Sequence, residues 1–137
     1  MVMRYKGIKG KFWDIFSQYI RLRDWYKYGT CVSCYKHIEH WKEADAGHYI
    51  AASKGGFALL FNEDNVHLQC KHCNNPTWSP DSSVGYGFEL ERRLGVGTTK
   101  RLYDMKKLVT KEWSKLEYAQ KIAEYKAKIE ALRVIHS

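Results

Sequence analysis

The sequence predicts an α+β fold in one domain, residues 1–137: a small core stapled by cysteine ligands, an N-terminal helix before it and a long C-terminal helical segment after it. Three observations point there. Two Cys-x-x-Cys pairs, Cys31/Cys34 and Cys70/Cys73, have 35 residues between them. Between them, two short stretches suited to strands flank Gly55-Gly56, a hairpin pattern. On both flanks, apolar residues recur at the three- and four-residue steps of a helix.

Residues 9–28 read as the first helix, with Trp13, Phe16, Ile20 and Tyr19 on its apolar face and Gly29 as its stop. Residues 29–78 form the core. A tight Cys-x-x-Cys turn presents two thiolates to one ion and needs a second pair, which Cys70 and Cys73 supply. Four sulfurs close a zinc tetrahedron and leave no position for water, so this Zn2+ is expected to be structural. A redox pair, or mixed ligation by His37, His40, His67 or His72, is the alternative. Residues 45–52 are expected as one strand, 53–56 as a turn, 57–61 as a second strand and 62–64 as another turn.

In residues 79–99, Pro80 and the serines after it predict a loop, residues 88–94 a short helix, and Thr98 or Thr99 a cap for the next one. Residues 100–135 form a basic helical segment, with Leu102, Met105, Val109, Trp113 and Leu116 in phase. Thirty-odd residues is long for one helix. It either breaks near Thr110 or projects and pairs with a partner helix, which would make a homodimer.

The net charge is +8. Residues 1–30 carry seven Lys or Arg against two acids and residues 100–137 ten against five, while the middle carries six against eight. Basic arms around a slightly acidic, metal-binding centre suit a polyanion, and DNA is the expected partner. Arg21, Arg23, Lys27, Lys54, Lys71, Lys100, Arg101, Lys106 and Lys107 are the candidate phosphate contacts. No apolar stretch follows the basic start, and no run of about 18 apolar residues exists. The expectation is a cytoplasmic protein with no membrane span, a setting in which paired Cys-x-x-Cys elements more often bind metal than form disulfides.

Cutting a phosphodiester needs a base to deprotonate water and a cation to stabilise charge on the phosphate. His48, next to Gly47, is the candidate base. Asp45 is the nearest acid, and Asn74 follows a metal-locked cysteine directly. Such oxygens suit a hard Mg2+. Asn65 is placed to pin the loop and orient His48.

The order Gly47-His48, Asn65, Cys70-x-x-Cys73-Asn74 resembles the HNH, or ββα-metal (His-Me finger), nucleases, in the form where asparagine ends the motif, as in phage recombination endonuclease VII. It is most similar to the NinG/Rap recombination proteins of lambda-like phages. The segments that carry this likeness start at Tyr28, Ala44 and Phe61, with a further likeness in the tail at Ala123-Glu-Tyr-Lys and Ala131-Leu-Arg. The resemblance implies a zinc-stapled endonuclease acting on Holliday junctions and D-loops with Mg2+ or Mn2+. It gives His48 the role of general base, Asn65 an orienting role and Asn74 that of an ion ligand. Asp45 or His67 supplies the further ligand. Many such nucleases carry the acid directly before the histidine, where this chain has Gly47. On a strand, Asp45 and His48 would face opposite sides. A zinc-dependent DNA-binding module without cutting activity, and an HNH enzyme acting on linear duplex, are the rival expectations.

Overall fold

The computed structural model describes residues 5–137. Helix α1 spans Gly7–Lys27 and buries Phe12, Trp13, Phe16 and Ile20, the expected stripe with Phe12 added. It ends where the N–H groups of Tyr28 and Gly29 both bond the Asp24 carbonyl. Gly29 takes a φ of 71°, the left-handed position that suits glycine after a helix. The first knuckle follows, and a 3-10 turn, Trp41–Glu43, leads into strand β1, Ala44–His48.

Strand β1 pairs antiparallel with β2, Val66–Cys70, from Ala44 opposite Cys70 to His48 opposite Val66. This corrects the expected hairpin. Residues 53–56 and 57–61 are not a turn and a strand; they hold two single-turn helices, α2 (Ala52–Gly55) and α3 (Phe57–Leu60). A short apolar run is compatible with either state, and packing decides. On a helical turn, Leu59 reaches a cluster with Val32, Tyr86 and Leu90, while Leu60 and Phe61 reach Phe12 and Phe16. The true second strand alternates Val66, Leu68 and Cys70 with His67 and Gln69, and all five are buried. The first strand also stops earlier than expected, at His48.

Helix α4, Ser82–Leu94, is six residues longer at its start than the 88–94 expected. Gly85 lies inside it, where helix propensity is poor. The reason is a close approach, because a Cβ there would run into the Ser33 carbonyl of the first knuckle. The C-terminal segment breaks, as one of the two expectations had it: α5 spans Thr98–Met105 and α6 Lys115–Ile135. Gly97, not a threonine side chain, caps α5, while the Thr98 hydroxyl donates to the Gly95 carbonyl. Ser114 caps α6 in a reciprocal pair with Glu117.

Helix α6 folds back on α1 and buries Tyr118, Tyr125 and Ile129. The aromatic cluster between them and the hairpin includes Phe12, whose ring lies 4.8 Å from Phe61 and 5.4 Å from Tyr125. Of the residues expected in phase along the C-terminal segment, Leu102 is buried, whereas Val109 and Leu116 stay exposed because the break between α5 and α6 interrupts the stripe. Among the described residues, no helix is long and apolar enough to cross a membrane.

Candidate metal centre and adjoining cleft

The four cysteine sulfurs lie within 4.8 Å of one another. Zinc–sulfur bonds of about 2.3 Å require sulfurs about 3.8 Å apart in a tetrahedron, and Cys34 Sγ stands 3.9 Å from Cys70 Sγ. Backbone N–H groups support the thiolates. Ser33 and Cys70 donate to Cys31 Sγ, and Cys73 donates to Cys70 Sγ. Burial works to raise the Cys31 pKa, but N–H donors from Cys34, Cys70 and Ser33 outweigh it and hold the thiol below its ordinary value. The group contains four cysteines and no histidine. The cluster can hold a zinc ion, and it joins the loop before β1 to the end of β2.

His48 closes β1. Its Nε2 lies 2.9 Å from the Leu60 carbonyl. A carbonyl only accepts, so Nε2 carries a proton, and in the neutral ring Nδ1 carries the lone pair. The ring stacks on Trp13 of α1, with centroids 5.4 Å apart. Asn65 is fully buried. Its amide accepts from Ile50 N–H at 2.8 Å and donates to the carbonyls of Ile50 and Leu59, each at 3.0 Å. Its own carbonyl accepts from Tyr49 N–H. Asn65 thus clamps the two ends of the α2–α3 loop, including the residue beside Leu60, whose carbonyl holds His48.

Asn74 and His48 line one cleft of about 860 Å³, whose wall also includes Gln69, Lys54 and the 76–83 loop. The Asn74 amide donates to Asp45 Oδ2 at 3.1 Å, and Asp45 Oδ1 pairs with Lys71 at 2.7 Å. Asp45 lies opposite Gln69 in the ladder and His48 opposite Val66, so the two point to opposite faces. Tyr86, fully buried on α4, donates to the Gly47 carbonyl at 2.6 Å and steadies β1 from the other side.

The sequence model of the bacteriophage lambda NinG protein matches residues 4–134. The chain belongs to the lambda NinG family. No curated protein and no solved structure matches it.

In this NinG-family chain, two of the candidate residues are committed to the interior. His67 is 3% exposed, with Nε2 2.9 Å from the Asp64 carbonyl and Nδ1 3.3 Å from Asp24. Arg23 donates to the carbonyls of Glu63 and Val66 and pairs with Asp24. Both belong to a tie between α1 and β2 centred on Asp24, which also accepts from Leu68 N–H at 2.8 Å. Nothing in the spacing marks Asp24 as buried, since two of its partners, His67 and Leu68, lie 40-odd residues away in sequence. Arg21 is half-buried and stacks on Trp41. Lys27, Lys54, Lys71, Lys100, Arg101, Lys106 and Lys107 are exposed, with Lys100 paired to Asp104 and Arg101 to Asp64. Of these, Lys54 shares the cleft with His48.

Proposed function

We propose that this NinG-family chain is an HNH-type (ββα-metal) DNA endonuclease that hydrolyses phosphodiesters in branched recombination intermediates, Holliday junctions and D-loops among them. The single observation that carries the reading is the setting of His48. Its imidazole is oriented by the Leu60 carbonyl on the wall of the cleft that also holds Asn74, which follows a zinc-binding cysteine. The chain order β1, β2, α4 agrees with a ββα arrangement. The basic flanks supply attraction for DNA.

Zinc at the four cysteines supplies rigidity, and a hard divalent ion near Asn74 supplies charge neutralisation at the phosphate. His48 Nδ1 takes a proton from the attacking water, whose oxygen bonds to phosphorus. The bond from phosphorus to the leaving sugar oxygen breaks, and that oxygen takes a proton from solvent. Asn65 keeps the His48 ring in place, and Lys54 meets the backbone on the cleft wall.

The test is cleavage of four-way junction, flap and linear DNA with Mg2+, comparing the native chain with His48→Ala. Cutting of the branched substrates should fall by about 10²–10⁴-fold in the variant, the range for loss of a general base. Equal cutting by both proteins, or by neither, overturns the reading. Binding without cutting would leave a zinc-dependent DNA-binding module, and equal cutting of linear DNA would remove the preference for branches. Paired cuts at a junction call for two copies, so a single-chain mass on junction DNA would leave nicking as the activity.

A further inference from the structure

Gly47 marks an oxygen-lined cradle. A Cβ added there would overlap Gln69 Oε1 and stand 2.9 Å from Asn74 Oδ1. Two amide oxygens thus converge over one bare backbone position, and the side chains that carry them, Gln69 and Asn74, both line the cleft that His48 also lines. Each is aimed by its own nitrogen. Asn74 Nδ2 donates to Asp45, whose carboxylate only accepts, which turns Oδ1 towards Gly47. Gln69 Nε2 donates to Ser33 Oγ at 2.9 Å, which turns Oε1 the same way. Gln69 is 3% exposed, and the backbones on both sides of it are fixed by the β-ladder and by Cys70. His67, the alternative ligand by motif, has both ring nitrogens engaged at Asp64 and Asp24.

We infer that Gln69 is a ligand of the catalytic divalent cation, paired with Asn74, and that Asp45 acts as a positioning residue behind Asn74. The inference rests on the nuclease reading and specifies its ion site. Two neutral oxygens suit a hard ion that keeps several waters and completes its shell with substrate phosphate. They also explain glycine in the position before His48: any side chain there would fill the cradle.

The experiment is Mn2+ titration of the zinc-loaded full chain, followed by the electron paramagnetic resonance of free Mn2+, with Mg2+ as competitor. Gln69→Leu should weaken Mn2+ binding by about tenfold or more, and Gln69→Glu should retain it or tighten it. Gly47→Ala perturbs the same atoms with Gln69 itself retained, because the new methyl displaces the end of that side chain. It should weaken Mn2+ similarly while zinc content stays at one per chain. Mn2+ affinity unchanged in both Gln69→Leu and Gly47→Ala, with tight binding in the native chain, overturns the assignment and leaves the nuclease reading standing. A native chain that holds no Mn2+ overturns both.

Discussion

At the scale of single residues, the Asp24 carboxylate ties α1 to β2. It is 1% exposed and faces Arg23, His67 and the Leu68 N–H together. Burial alone would raise its pKa, but the charge of Arg23, with His67 beside it, outweighs that and holds the carboxyl well below the usual range. A carboxylate whose folded pKa is depressed adds stability above its unfolded value, near 3.9, and loses it as pH falls further. The urea midpoint should therefore hold steady to about pH 5 and drop from about pH 4 downwards. Asp24→Asn should cost about 3 kcal/mol at neutral pH, the scale for breaking a buried pair, and should flatten part of that acid limb in the same titration. Lys54, by contrast, is exposed on the cleft wall. Lys54→Ala should leave stability unchanged and reduce the slope of log affinity for DNA against log salt by about 1 if it meets one phosphate.

At the scale of elements, α6 depends on its start and its seat. The Ser114–Glu117 capping pair opens it, and Tyr125 and Lys128 hold it to Glu63 at 2.7 and 2.9 Å. Ser114→Ala should cost about 1 kcal/mol by thermal unfolding. The capping signature was present in the sequence, Ser114-x-x-Glu117 at the start of the helix, yet the apolar steps that run through it from Leu102 to Leu116 masked it. The hairpin shows the opposite failure. Residues 57–61 read as a strand because Phe and Leu suit either state, and only the two separate clusters that Leu59 and Leu60 fill make the turn helical. Strand β2 alternates apolar and polar residues over only five positions that end in a knuckle ligand, and its pairing with β1 is what makes it a strand.

At the scale of the whole molecule, the cysteine cluster closes a loop running from the end of α1 to the start of the 74–81 segment. It joins two knuckles that also meet through the bond from Val32 N–H to the Leu68 carbonyl and the contact of Gln69 with Ser33. A two-stranded hairpin is marginal by itself. Removing zinc with a strong chelator should therefore abolish the near-ultraviolet circular dichroism of the aromatic core or lower its melting point sharply, because metal binding and folding of such a centre are one equilibrium. Survival of the full melting curve in metal-free protein would show that the α1–α6 core stands without the staple.

The sequence by itself determined the chemistry that local spacing dictates. It determined the four-cysteine cluster, the α1 stripe and basic flanks around a histidine and two asparagines, because ligand type and helical period are short-range properties. Tertiary structure alone decided which oxygens gather over Gly47, that His67 and Arg23 turn inward to Asp24, and where the second strand runs. Those outcomes depend on register and on contacts between residues about 40 positions apart, and no local pattern carries either.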